Sequence, residues 1–248
     1  MLNEAAILTA RRRKNHIGLS EIDDAVDRII AGMEGQPLVD GRSKRLIAYH
    51  EVGHALIGSL VKDHDPVQKV TVIPRGQAKG LTWFSPDDDQ TLISRSQLKA
   101  RIMGALGGRA AEDIFFGREE VTTGAGGDVQ QVASMARRMV TRFGMSSLGP
   151  VSLEGDNQEV FVGRSLMNTS DISDEISKQI DEQVRKIVKQ CYEETLELVA
   201  KNRSAMDKLV EILIEKETMD GEEFCEILSE FTPIPEKDRF IPVLKNTK

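Results

Sequence analysis

The chain has 248 residues, 40% of them hydrophobic, enough to bury one or two sizeable cores without disulfides as the main staple. A net charge of −7, with 29% of residues charged, excludes a general nucleic-acid binder, because phosphate recognition needs a basic surface. Cys191 and Cys225 are the two cysteines and lie far apart, which excludes a disulfide framework or a cysteine zinc knuckle, so both read as small core residues.

The first residues lack the apolar core and cleavage site of a secretory signal, and they start as though cut from the middle of a helix. Ser20, followed by Glu21, Asp23 and Asp24, reads as an N-cap; Ile22, Val26, Ile29 and Ile30 then recur at helical spacing as far as Gly32. Gly32 to Gly41 reads as a linker. Ser43 is expected to cap a second helix running to about Val61. Two β-rich runs follow, Val67 to Ile73 and Gly80 to Ser85, separated by Pro74-Arg75-Gly76 and closed by Pro86. A helix is expected from Ser94 to Phe116, then the glycine-rich stretch Thr122 to Gly127, then a helix from near Asp128 to Phe143. Residues Gly149 to Gly163 suit a hairpin or ordered loop. Three helices are expected after that, Ile172 to Lys201, Ser204 to Lys216 and Asp220 to Phe231, and the proline-bearing tail from Thr232 should be extended or disordered. The longest apolar run, Ala55 to Val61, is broken by Gly58 and Ser59 and falls short of the roughly 20 residues that span a bilayer. A soluble, mainly α fold with a small β-sheet is therefore expected.

The second helix carries His50-Glu51-Val52-Gly53-His54, an H-E-x-x-H pattern. Residues four apart share a helix face, so both imidazoles converge, as two ligands of a catalytic zinc do. Glu51, beside the first histidine, can reach a metal-bound water and serve as general base. Two polar rings could instead be satisfied core groups. Against that, Leu46, Ile47, Val52, Leu56 and Ile57 make the helix nearly apolar all round, where unpartnered polar groups cost a few kcal/mol. Gly53, which costs about 1 kcal/mol relative to alanine in mid-helix, points to close approach of another segment.

The third ligand is open on spacing alone. Ile57 and Leu60 stand where the metzincin continuation needs glycine and histidine, and no glutamate occurs between Glu51 and Glu112. His64, Asp63, Asp65, Asp87, Asp88, Asp89, Glu112, Asp113 and Asp128 remain. Asp128 follows a glycine-rich approach and opens an apolar helix, where it reads equally well as a ligand or a plain N-cap. Glu112 is its competitor, as a ligand, as an acceptor that orients a histidine, or as a surface partner of Arg109.

HEVGHAL, PRGQAKGLTWFSP, ALGGRAAEDIFFG, VTTGAGGDVQQVASMARRMVTRFGMS and LIEKETMDGEEF, in this order over roughly residues 40 to 230, resemble the peptidase domain of the FtsH family. These are membrane-anchored, ATP-dependent zinc proteases, and the version here is similar to those of cyanobacteria and chloroplasts. The resemblance implies zinc held by His50, His54 and Asp128, with Glu51 as base and Glu112 orienting a histidine. It implies that Gly80, Leu81, Thr82, Trp83 and Phe84 form an edge strand that binds an extended polypeptide; packing of Trp83 into a core is the plainer alternative. It also implies a homo- or hetero-hexameric ring under AAA ATPase domains, acting in membrane protein quality control at a thylakoid or bacterial plasma membrane. No G-x-x-x-x-G-K-[ST] loop occurs, so ATP would serve only an ATPase module outside this sequence. Residues 1–32 are then expected to be the tail of that module's helical lid, 33–231 the peptidase domain and 232–248 the tail. A non-catalytic assembly module with a vestigial zinc site is the competing expectation.

Overall fold

The computed structural model describes residues 1–35, 41–76, 78–85, 92–153 and 173–236. Helices α1 (Leu2–Arg11) and α2 (Leu19–Ala31) pack on each other, joined where Arg12 and Lys14 both reach the buried Glu21 carboxylate at 2.8 and 2.6 Å. Ser20 is not the cap of α2. The cap is Gly18, two residues earlier, because Glu21 folds back to accept the Gly18 N–H at 3.1 Å, satisfying a donor the first turn leaves free.

Helix α3 (Gly41–Leu60) runs through the core; from Ile47 to Ser59 every residue except His50 is buried. It is crossed by α4 (Arg95–Phe116), whose start is set by Ser94 and Gln97 capping each other reciprocally at 3.2 and 2.8 Å. The crossing is glycine on glycine. A Cβ at Gly53 would stand 2.5 Å from the Gly107 carbonyl oxygen, and one at Gly107 would stand 2.5 Å from that of Gly53. That close approach is what Gly53 signalled in the sequence.

Strands β1 (Val67–Thr71) and β2 (Leu81–Phe84) pair antiparallel, and β3 (Thr218–Asp220) pairs antiparallel on the other side of β1, giving the order β2-β1-β3. Sequence periodicity did not reveal β3, which is three residues in the gap between two helices. Its position follows from Glu217, which ends the preceding helix in the left-handed region at φ 61° and whose carbonyl accepts from Val72 N and Thr71 Oγ1, both at 3.0 Å. In β2 the side chains alternate, so Thr82 and Phe84 face α3 while Leu81 and Trp83 take the opposite face. Phe84 fills the notch at Gly58, where a Cβ would lie 2.3 Å from its ring. The ring of Trp83 is only partly buried and is not a core group.

Helix α5 (Gly126–Thr141) packs on α4, as do α6 (Asp174–Lys201) and, against α3, α7 (Arg203–Lys216); α8 (Gly221–Ser229) closes the sheet. Most of the expected hairpin at Gly149 to Gly163 lies outside the described residues, and its first part, Gly149 to Leu153, carries no strand. Thr232 to Glu236 carry neither helix nor strand, and Pro242 lies outside the described residues. No helix among the described residues is long and apolar enough to cross a membrane.

Candidate metal centre

His50 and His54 stand one turn apart on α3, and Asp128 reaches them from the first turn of α5. The three side chains form a group able to hold a metal ion, with ligand atoms all within 4.8 Å of one another. Asp128 is not the N-cap: Ala125 takes that place, and Gly126, at φ −61° and ψ −40°, is already helical. The aspartate therefore lies inside the first turn, with its carboxylate turned to the histidines.

The geometry suits zinc. Tetrahedral ligands at 2.0 to 2.1 Å from the metal lie about 3.3 Å from each other. The two Nε2 atoms are 3.0 Å apart, and Asp128 Oδ2 lies 3.4 Å from that of His50 and 3.7 Å from that of His54. Ring tautomers point the same way. His54 Nδ1 is 2.8 Å from the Gly104 carbonyl, which can only accept, so Nδ1 carries the hydrogen. His50 Nδ1 is 2.8 Å from Glu112 Oε1 and donates to it. Both Nε2 lone pairs then converge beside a carboxylate, an arrangement that calls for a cation between them.

The four groups shift one another. Burial pushes the His50 imidazole down, but its bonds with Asp128 and Glu112 outweigh this and raise it, while burial and the neighbouring His50 charge lower His54. Burial raises the Asp128 and Glu112 carboxyls, yet the His50 hydrogen bond holds both below their ordinary values.

Glu112 is fully buried on α4 and does not pair with Arg109 at the surface. One oxygen orients His50, and the other accepts the Thr122 N–H at 2.6 Å. A single carboxylate thereby fixes a ring on α3 and pins the glycine-rich segment that leads to Asp128. Thr122 Oγ1 in turn accepts from Gly124 N at 3.1 Å.

Glu51, 7% exposed, points to the sheet side of α3. Burial raises its carboxyl to about 7, against the opposing pull of the His50 charge and a hydrogen bond from Thr82. A base poised near neutrality suits proton uptake from a bound water. Strand β2 covers it: Thr82 Oγ1 lies 2.8 Å from Glu51 Oε2, and a Cβ at Gly80 would stand 2.7 Å from Oε1. Gly80, Leu81, Thr82, Trp83 and Phe84 thus lie beside the helix that bears the histidines, and β2 is an edge of the described sheet.

The other candidates lie elsewhere. Asp65 pairs with Arg101 at 2.9 Å, Asp113 accepts from the Tyr192 hydroxyl at 2.9 Å, and Asp63 is exposed. Buried His64 packs on the Phe84 ring and over Gly104. Asp87, Asp88 and Asp89 lie outside the described residues. Sequence reasoning missed the Gly104 carbonyl and the contact of Thr82 with Glu51. It also missed Gly108, where a Cβ would stand 2.6 Å from the Nε2 atoms of both histidines. The Gly107-Gly108 pair was the available signal, since one glycine admits the crossing helix and the next admits the rings.

Two histidines and an aspartate with a neighbouring glutamate, on crossed buried helices beside a small sheet, define a metal centre of the H-E-x-x-H metallopeptidase class. The model of peptidase family M41 matches residues 37–227, and the chain belongs to that family. It is 54% identical over 239 residues to the ATP-dependent zinc metalloprotease FtsH of Trieres chinensis, covering 96% of this chain. It is 57% identical over 239 residues, again 96% of this chain, to the chloroplastic ATP-dependent zinc metalloprotease FTSH 2 of Arabidopsis thaliana. The Cyanidium caldarium FtsH is 54% identical over 230 residues, 93% of this chain. The chain spans 37%, 34% and 38% of the length of these three relatives respectively.

Proposed function

We propose that this chain is the zinc endopeptidase part of an ATP-dependent FtsH-type protease, cutting unfolded or threaded polypeptide. The reading is carried by one observation: the helix that brings His50 and His54 to Asp128 in one donor set also carries the buried Glu51, whose carboxylate is held by Thr82 of the edge strand β2. Zinc held by those three residues would polarise the scissile carbonyl and acidify a water. Glu51 takes the water's proton and passes it to the leaving amine. Glu112 and the Gly104 carbonyl keep the two rings turned so that each Nε2 lone pair faces the metal. An extended substrate adds as a further strand at the outer edge of β2 through main-chain hydrogen bonds, which tolerates many sequences.

The relatives' names and their greater length support the larger picture. In it, residues 1–32 end the helical lid of an AAA ATPase module, 33–231 are the peptidase domain, and the whole subunit works in a homo- or hetero-hexamer on a thylakoid or bacterial plasma membrane. The match to the family beginning at residue 37 is in keeping with that division. ATP is used by the ATPase module.

The test is Glu51→Gln in this 248-residue chain. We expect kcat on an unstructured, internally quenched peptide to fall by about 10²- to 10⁴-fold with zinc content unchanged. Cleavage at the wild-type rate with zinc bound would remove Glu51 from the role of base. A wild-type chain that binds zinc and cuts no peptide would favour the non-catalytic assembly module. The chain alone should cut loose peptides and spare a stably folded reporter.

A further inference from the structure

We infer that Thr82 is a positioning residue that locks the general base to the substrate-binding edge strand, an inference that rests on the peptidase reading above. Thr82 sits mid-strand in β2, paired across to Val70 of β1, so its backbone is fixed by the sheet. Its side chain leaves the sheet on the face toward α3. There the hydroxyl lies 2.8 Å from Glu51 Oε2 and 3.0 Å from the Glu51 main-chain carbonyl. The other carboxylate oxygen lies against Gly80, where only the missing Cβ leaves room. The carboxylate is therefore held by β2 and the residue that leads into it, Thr82 by a hydrogen bond and Gly80 by contact.

An extended peptide added to β2 takes its register from the backbone of these residues. The strand that aligns the scissile carbonyl is then the strand that aligns the base, and the separation of the two is set within one rigid element. Small displacements matter here because proton transfer requires hydrogen-bond reach of the attacking water. A hydroxyl suits the task in a way no apolar side chain of the same shape does. It has one proton and two lone pairs. It donates to Oε2 while the carboxylate is ionised. After water has given its proton to Glu51, the hydroxyl can accept from the neutral acid and turn its own hydrogen to the Glu51 carbonyl. Its proton stays on Thr82 throughout, and only the proton from water moves.

Thr82→Val and Thr82→Ser in the 248-residue chain, zinc-saturated and assayed on the unstructured peptide beside E51Q, test this. T82V should lose about 10- to 100-fold in kcat, with KM and zinc content unchanged, and T82S should recover most of the rate. Loss confined to KM would make Thr82 a substrate contact and overturn the inference. So would a wild-type kcat in T82V, or a T82S loss equal to that of T82V. If T82V fails to fold by circular dichroism, T82A is compared with T82S by the same criteria. A zinc-bound wild-type chain that cuts no peptide sinks the peptidase reading itself; an inactive E51Q beside a fully active T82V sinks only the role of Thr82.

Discussion

The metal centre is built from two unlike halves. The α3 half is buried, crossed by α4 at Gly53 and Gly107, and each histidine is held at its second ring nitrogen by a group on α4. The α5 half contributes Asp128 from the first turn of a helix, with 28% of its side chain exposed, at the end of a glycine-rich segment pinned by Glu112 through Thr122. The two histidines are thus set by the packed crossing of two helices, and the aspartate by the first turn of a third helix at the end of a glycine-rich approach.

Asp128→Asn should break the comparison most sharply. We expect zinc affinity to fall by more than about 100-fold, exceeding the usual effect of a residue that only orients a ligand, while the melting temperature of the zinc-free chain stays unchanged. Titration against a competing chelator, with calorimetry of the apo form, checks both. Glu112→Gln touches both halves and should weaken zinc by about 10- to 100-fold. It should also raise hydrogen exchange at Thr122 and Gly124, whose geometry depends on that carboxylate.

Gly53→Ala probes the packed half alone. Its Cβ would meet backbone, the Gly107 carbonyl, and cannot be relieved by a side-chain rotation. Overpacking of about 1–3 kcal/mol is expected, at about 2–4 °C of melting temperature per kcal/mol for a chain of this length. Thermal unfolding of the zinc-free protein reads it.

The smallest effect lies away from the centre, in the α1–α2 pair. Lys14 and then Arg12 draw the Glu21 carboxyl down to about 2 from an ordinary 4.5. A depressed carboxylate stabilises the fold above its unfolded value and loses that contribution as pH falls through its folded value. Amide protection in α1 and α2 should therefore decline between about pH 4.5 and 2, and Glu21→Gln should flatten the decline. Protection that does not change across this window in the wild type would mean that the ion pairs do not hold the two helices together.

Local sequence was enough for the H-E-x-x-H helix, most helix boundaries to within a few residues, the two longer strands and the need for glycine at position 53. Each of these is local: periodicity, capping chemistry and a two-histidine spacing are read within one turn or one strand. Composition and local spacing could not choose between Asp128 and Glu112, because the choice depends on how α4 packs on α3 and α5 on α4. Resemblance to a known family named Asp128, and the tertiary structure shows how the two acids divide. Glu112, inside α4, meets the far side of the His50 ring; Asp128, a turn into α5, meets its near side. Only that packing decided that the Gly104 carbonyl sets the tautomer of His54 and that a threonine 31 residues away lies on Glu51. Such contacts arise where separate elements cross, and no period within a single element encodes them.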